Sequence, residues 1–387
     1  MRMQPYDFII AGGGAAGLSL ACEMIHSPLR DRSILIVDKD AKDRNDRTWC
    51  FWTDRAMQFD PIVSRSWNRL QFVSPTYAKV VELHPYRYQL IRGIDFYCCA
   101  HQELAAFPNV ELLQGTVEQI EDQDDQATVS VDGRTYAARW VFDSRFRRPT
   151  FAPDPTRYHY VQQRFHGWEI ETPIDAFDPQ IPTFLDFRTP QREAMRFCYV
   201  LPLSARHALV EYVACMRPAH GDEDQTGALR DYLQTILGII DYRILAREGG
   251  ASPLTDYPFP RRAGQRVMTI GVAGGRIKPT SGYAFTRIQD DSAAIVGSLL
   301  KVGHPFDVPP SSRRYRLYDA ILLDLMTHHG AAISPIFTTL FRHNPIQRIF
   351  RFLDEAGSLW ENMSFIATLP PQRFLWALFR MYALGKV

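Results

Sequence analysis

The beginning of the chain alternates between apolar runs and a glycine-rich break. Tyr6–Ala11 is an apolar run that predicts a buried strand, and Leu18–Ile25, rich in Ala, Leu and Met, predicts a helix. Ser33–Val37 predicts a second buried strand, which ends on Asp38. The order strand, glycine loop, helix and strand is typical of a parallel βαβ unit.

The middle of the chain has a different pattern. His159–Ile170 alternates in polarity and is rich in aromatic residues, which predicts a strand of an antiparallel sheet. Further short strands are predicted at 184–187, 196–203 and 208–213, and a helix at 226–236. Val267–Gly275 again predicts a strand that runs into a glycine-rich loop, and a helix is predicted at 285–300. From Ser311 onward the pattern is mostly helical.

These patterns predict an α/β protein. We expect a discontinuous Rossmann-type nucleotide domain, an antiparallel-sheet substrate domain and a helical C-terminal region. The predicted boundaries are 1–150 and 263–310 for the two parts of the nucleotide domain, 151–262 for the substrate domain and 311–387 for the helices.

The first glycine loop has the spacing of a dinucleotide site. Gly12, Gly14 and Gly17 fit G-x-G-x-x-G: the first glycine permits a tight turn, the second a close approach of the pyrophosphate, and the third close helix packing. The helix N-terminus favours phosphate. Asp38 follows the last glycine by about 20 residues, where an acid binds ribose hydroxyls and disfavours a 2′-phosphate. FAD or NAD therefore fits better than NADP.

Composition excludes some partners and compartments. The net charge of +1 provides no basic field for nucleic acid. The six cysteines show no metal-ligand spacing and predict free thiols in a reducing compartment. No secretory signal precedes the first strand, and no apolar run approaches the roughly 20 residues that span a bilayer. We expect a cytoplasmic protein without a transmembrane segment and without a metal.

Four segments in order resemble the lycopene cyclase family of bacteria and plants. They are Asn45–Trp52, the strand pair Tyr199–Leu203 with Leu209–Tyr212, the second glycine loop Gly271–Tyr283, and the helical segments Arg316–Asp324 and Arg351–Glu355. The resemblance covers nearly the whole chain. Plant-type members carry two successive acids followed by threonine, whereas here Glu211 is followed by Tyr212 and Val213. This difference leaves open which ring type forms and how many ends of the polyene are cyclised.

The resemblance implies a flavin-dependent cyclisation of lycopene or a related carotenoid, with reduced FAD and NAD(P)H as electron donor. Glu211 would be the acid, because a carboxyl among apolar strand residues can keep its proton near neutrality; a surface or salt-bridged glutamate is the alternative. The backbone N–H groups of Gly274 and Gly275 would hold the flavin ring. The expected cofactor residues are Gly12, Gly14, Ala15, Ala16, Gly17, Asp38, Lys39, Arg47, Gly271, Gly274, Gly275 and Gly282.

Several assignments stay open at this point. Arg47 fits a flavin contact and a solvated loop equally well, and Trp49, Phe51 and Trp52 fit either a polyene tunnel or the core. The apolar stretches 346–353 and 374–382 fit either peripheral membrane contact or core packing. An FAD-dependent monooxygenase or oxidoreductase on an apolar substrate, and a non-catalytic carotenoid carrier, are the alternative functions.

Overall fold

The computed structural model describes residues 5–147, 150–218 and 223–386. The strands are β1 (Tyr6–Ala11), β2 (Ile34–Asp38), β3 (Thr48–Thr53), β4 (Arg65–Trp67), β5 (Arg69–Ser74), β6 (Tyr77–Glu82), β7 (Arg87–Arg92), β8 (Val110–Gln114), β9 (Val117–Asp122), β10 (Ala127–Val131), β11 (Arg134–Asp143), β12 (Tyr160–Glu171), β13 (Thr183–Asp186), β14 (Met195–Pro202), β15 (His207–Met216), β16 (Arg243–Thr255) and β17 (Val267–Thr269). The helices are α1 (Ala15–Ile25), α2 (Gly93–Ala105), α3 (Gln225–Asp231), α4 (Phe285–Val302), α5 (Arg313–His329), α6 (Ile333–His343), α7 (Ile346–Leu353), α8 (Leu359–Ile366) and α9 (Pro371–Ala383).

The first sheet is the predicted Rossmann-type unit. Its strand order is β8-β2-β1-β11-β10-β9, with β17 paired to β11. Strands β8, β2, β1, the end of β11 and β17 run parallel, while β10 and β9 are antiparallel. The first half of β11 pairs antiparallel with β10, and its second half pairs parallel with β1. The return of β17 to this sheet confirms that the nucleotide-binding fold is discontinuous.

The second sheet has seven strands in the order β16-β12-β15-β14-β13-β5-β6. The predicted antiparallel strands in the middle of the chain are present as β12 to β15. Strands β5 and β6 belong to the predicted segment 1–150, so the chain contributes two strands to the second sheet before it completes the first sheet. The boundaries at 150, 262 and 310 stay a prediction. The predicted helix at 226–236 is α3 followed by a π-helical turn, Tyr232–Ile236.

The C-terminal helices pack on the second sheet. A large buried cluster joins residues of β5, β13 and β14 to residues of α5, α6 and α7, such as Phe72 against Phe341. Asp324 of α5, whose side chain is 1% exposed, binds Arg380 and so fastens α9 to α5. One stretch, 313–343, is long and apolar enough by composition to cross a bilayer. It comprises two helices with buried faces, as core helices do, so we keep the prediction that it does not cross a membrane.

Candidate active site

The first glycine loop leaves room for a ligand at the start of α1. A Cβ on Gly17 would lie 2.0 Å from the carbonyl oxygen of Gly12, so only glycine lets the helix pack this closely. Gly12 itself has a φ of +108°, which favours glycine. A Cβ on Gly14, in contrast, would meet no atom within 4 Å. Open space at a helix N-terminus is what a pyrophosphate requires.

Asp38, at the end of β2, binds the backbone of the first glycine loop. Its carboxylate accepts hydrogen bonds from the backbone N–H of Gly13, at 2.6 Å, and of Asp40, at 2.8 Å. The side chain remains 20% exposed, and a carboxylate has further lone pairs for ribose hydroxyls. The described residues that line the adjacent cavity do not include Lys39, which is exposed. Its role as a cofactor residue stays a prediction.

A cavity of about 430 Å³ lies between the two glycine loops and the second sheet, and we call it the polar cavity. The expected cofactor residues that line it are Gly14, Ala15, Ala16, Arg47, Gly271 and Gly282. A Cβ on Gly271 would lie 2.7 Å from Cβ of Ala16, so glycine lets the second loop approach the first. The residues present therefore fit a dinucleotide held between both loops.

Gly274 and Gly275 lie elsewhere, contrary to the expected ring contact. They line a separate pocket on the far side of the second loop. The N–H of Gly274 donates to the carbonyls of Ile270 and Gly271, and that of Gly275 donates to the carbonyl of Val272. These donors are used inside the turn and do not face the polar cavity.

Arg47 and the segment after it form the wall opposite the sheet. Arg47 lines the polar cavity, but its guanidinium binds Asp46 and is 49% exposed, so its contact with the flavin stays a prediction. Trp49 lines the cavity as well. Phe51 and Trp52 are buried against Phe285 and Phe350, respectively, as core residues. The core alternative is therefore correct for these two.

Glu211 lies in a row of residues that crosses four strands of the second sheet. Tyr199 of β14 lies opposite Glu211, Glu211 lies opposite Gly167 of β12, and Gly167 lies opposite Glu248 of β16. Directly opposite residues in an antiparallel pair share a face. Tyr199, Glu211 and Glu248 all line the polar cavity. Tyr212, where plant-type members have the second acid, packs into the cluster on the other face.

The environment of Glu211 keeps its carboxyl neutral. Burial raises the pKa of Glu211 well above its ordinary value, and the charge of Glu248 raises it further. The surface that Glu211 does expose faces the cavity. Burial also raises the pKa of Glu248, to about 7, although the hydrogen bond from Thr48 and the charge of Arg47 lower it. Burial and the neighbouring carboxylate therefore favour the protonated form of Glu211, and the surface or salt-bridged alternative does not apply.

A second cavity, of about 490 Å³, lies between the second sheet and the C-terminal helices. Its walls are largely aliphatic and aromatic, with Phe184, Phe197, Leu254, Leu322, Phe352 and Phe374 among them, and we call it the apolar cavity. Gln163, Tyr199, Ser281 and Tyr283 line both cavities. Tyr283 Oη lies 3.1 Å from Tyr88 Oη and 3.3 Å from Tyr199 Oη. This tyrosine cluster marks the junction of the two cavities.

Lys278, which has no role assigned from sequence, joins the second glycine loop to the helices. Its buried ammonium group donates to Asp319 of α5 and to Glu355, each at 2.9 Å. Arg287 of α4 donates to the same oxygen of Glu355 at 3.0 Å. Lys278 therefore links the second glycine loop to α5 and to the segment that follows α7.

Other polar candidates have structural partners. His207 contacts Glu169 at 2.8 Å, and the indole of Trp168 donates to His166. His220 lies outside the described residues. Within the described ranges no group of three His, Cys, Asp or Glu side chains has the arrangement of a metal site. The six cysteines are unpaired, and Cys22, Cys198 and Cys215 are buried.

Flavoproteins of known structure share this fold. The flavin-dependent brominase Bmp2 matches with a TM-score of 0.64 and 15% identity, over 90% of this chain and 93% of that one. A geranylgeranyl bacteriochlorophyll reductase-like protein from Thermoplasma acidophilum has a TM-score of 0.62 at 11% identity, with 99% and 100% covered. The p-nitrophenol 4-monooxygenase of Pseudomonas putida has a TM-score of 0.61 at 15% identity, with 96% and 98% covered. The chain has the fold of FAD-binding monooxygenases and reductases.

Sequence comparison gives the family within that class. The family model described as Lycopene cyclase protein matches residues 7–379. The lycopene beta-cyclase of Pantoea ananas is 25% identical over 314 residues, which are 73% of this chain and 72% of that protein. The chain therefore belongs to the lycopene cyclase protein family, and the resemblance seen in its motifs is confirmed.

The open space above Gly14 gives a direct test of the dinucleotide site. Gly14→Ala is expected to leave the Tm of the apoprotein unchanged and to weaken the binding of FAD by at least ~10-fold, about 1.4 kcal/mol, because the methyl occupies the space of the pyrophosphate. Fluorescence titration gives the affinity and calorimetry the Tm. Gly297→Ala, at an equally open glycine of α4, is the matched control. Equal affinities of the two variants would contradict this site.

Proposed function

We propose that this protein closes the acyclic ends of lycopene or a related carotenoid into rings of the β-ionone type, without net oxidation or reduction. The observation that carries the proposal is the position of Glu211. Its carboxyl lies in the polar cavity, where burial raises its pKa well above the ordinary value, and Tyr199 beside it also lines the apolar cavity. Family membership implies a carotenoid substrate.

The reaction balances with one proton and no electrons. Glu211 gives its proton to the terminal double bond of the substrate, which leaves a tertiary cation. An internal double bond attacks this cation and forms the new carbon–carbon bond of the ring. The ring then loses a proton, and the protein recovers it. Substrate and product are isomers, so the carboxyl acts as an acid whose effect disappears as the pH rises through its raised pKa.

The residues around Glu211 suit a carbocation. Tyr88, Tyr199 and Tyr283 meet through their hydroxyls at the junction of the cavities, and an aromatic ring can stabilise a cation placed over its face. Burial raises the pKa of all three phenols well above the ordinary value, so they stay uncharged. The aliphatic and aromatic walls of the apolar cavity disfavour water, which would otherwise trap the cation as an alcohol.

FAD in its reduced form, supplied with electrons by NAD(P)H, is the cofactor we propose. When bound, a reduced flavin supplies a negatively charged ring that stabilises a nearby cation. Gly12, Gly14, Ala15, Ala16 and Gly17 would hold its phosphates. Asp38 would hold the ribose, and Arg47, Gly271 and Gly282 would lie along the rest of the cofactor.

Glu211→Gln tests the assignment of the acid. The variant keeps the size of the side chain but has no carboxyl proton, so ring formation should fall by at least ~100-fold while FAD remains bound. The assay uses anaerobic protein with reduced FAD and lycopene in liposomes, with pigments separated by chromatography. Ring formation by oxidised protein without a reductant would contradict the role of reduced FAD. Consumption of oxygen and NAD(P)H with an oxygenated product would favour a monooxygenase.

We further propose that the protein lies on the cytoplasmic face of a membrane through α8 and α9. These helices carry seven apolar or aromatic side chains that are each more than half exposed, and we call this surface the docking face. Its residues are Leu359, Trp360, Met363, Leu375, Trp376, Phe379 and Tyr382. Leu375 also lines the apolar cavity, so this face continues into the proposed substrate site. Aromatic and apolar side chains on such a helix suit the headgroup region of a bilayer. In contrast, α7 buries Ile346, Ile349 and Phe350, so it packs on the core.

The double variant Trp376→Ser/Phe379→Ser tests the docking face. It should lower the fraction of protein that sediments with phospholipid vesicles by at least ~10-fold, because two large apolar side chains no longer enter the bilayer. Ile240→Ser, at an apolar residue that is 77% exposed but lies outside α8 and α9, should change nothing. Equal loss in both variants, or loss in neither, would contradict the proposed contact.

A further inference from the structure

A second carboxyl lies beside the candidate acid. Glu211 and Glu248 occupy the strands on the two sides of β12, and each lies directly opposite Gly167. A Cβ on Gly167 would lie 3.2 Å from Cγ of Glu248 and 3.6 Å from Cβ of Glu211. Cδ1 of Leu209, which is also on β15, would lie 3.2 Å from this Cβ, so side chains of both neighbouring strands surround the space above the glycine. No side chain of the central strand separates them at this position.

The carboxylate of Glu248 is hydrogen-bonded to a hydroxyl group, while the nearby cation binds another acid. Thr48, on the opposite wall of the polar cavity, donates its hydroxyl to Oε2 of Glu248 at 2.8 Å. Arg47 acts on Glu248 as a cation, but its guanidinium is bound to Asp46. Lys42 lines the same cavity as a further cation, and its ammonium group lies 3.9 Å from Oδ2 of Asp38. Burial raises the pKa of Cys50 and of Tyr199, so both stay uncharged, and Glu169 adds a negative charge beside Glu248.

We propose that Glu211 and Glu248 form one acid–base pair that holds a single proton, with Glu248 as the positioning residue that keeps this proton on Glu211. The inference rests on the proposed cyclisation and adds a second residue to it. Before turnover Glu211 is protonated and Glu248 is a carboxylate. After Glu211 protonates the substrate, two carboxylates lie side by side over Gly167. Their repulsion favours return of the proton that the ring loses, so the pair ends as it began and no electrons move.

The electrostatics agree with this division of roles. The hydroxyl of Thr48 donates to Glu248 and so favours its charged form, whereas burial and the charge of Glu248 raise the pKa of Glu211 well above its ordinary value. Two carboxyls that share a site separate their titrations in this way. Gly167 favours the arrangement, because a side chain there would contact Cγ of Glu248 and Cβ of Glu211.

Glu248→Gln tests the pair through a pH profile. Without the neighbouring carboxylate, Glu211 should lose its proton at lower pH, so the alkaline limb of kcat should move to lower pH. We expect the ratio of kcat at about pH 6 to kcat at about pH 8.5 to rise roughly tenfold, which is one pH unit of displacement. FAD content should stay at the wild-type level. A purely structural role would lower kcat equally at both pH values.

Two further variants complete the test. Thr48→Val removes the hydrogen bond that stabilises the charged form of Glu248, and it should move the profile in the same direction even if Glu248→Gln does not fold. Glu171→Gln, on the same strand as Gly167 but exposed and paired with Arg243, is the matched control and should keep the wild-type ratio.

The outcomes separate the inference from the proposed function. If Glu211→Gln is inactive while Glu248→Gln and Thr48→Val keep the wild-type pH profile, the pair is wrong and the acid stands. If Glu248→Gln does not fold, the profile of Thr48→Val alone decides. If Glu211→Gln remains active, the proposed acid itself is wrong.

Discussion

The burial of an uncharged carboxyl at Glu211 is the constraint on which the arrangement of the rest of the molecule depends. A carboxylic acid keeps its proton at neutral pH only where water is excluded and cationic partners are absent or engaged elsewhere. Here the wall of the second sheet, the segment around Thr48 and the second glycine loop enclose Glu211. Arg47 is bound to Asp46, and Lys278 is bound to Asp319 and Glu355. Both of these cations are thus paired with other acids.

The fold divides the space around this acid into two parts of different chemistry. Glycines from both loops line one part, where backbone must come close to a ligand. Aliphatic and aromatic side chains of the second sheet and the C-terminal helices line the other. Tyr199 and Tyr283 belong to both parts, and Tyr199 lies next to Glu211 in the sheet. A substrate end that enters from the helical side would therefore meet the acid where it reaches the cofactor side.

The local sequence was sufficient to predict the strands and helices of the fold, but it was not sufficient to predict every residue of the candidate active site. The βαβ unit was predictable because Tyr6–Ala11, the glycine loop and Asp38 follow one another along the chain. Glu211 was predictable from its apolar strand and from the family motif. Glu248 was missed because its partnership depends on the register of three strands, which no single segment encodes. Gly274 and Gly275 were misplaced because their N–H groups close the turn, a detail of backbone geometry that glycine spacing does not reveal.

One measurement tests most directly whether this flavoprotein fold carries out an isomerisation. Anaerobic protein with reduced FAD is mixed with lycopene in D₂O buffer, and the flavin spectrum is followed while the product is analysed by mass spectrometry. We expect a cyclic product that carries one deuterium from the acid, with the flavin still fully reduced at the end. Oxidation of the flavin in proportion to product, or a product that has gained oxygen or lost hydrogen, would contradict it.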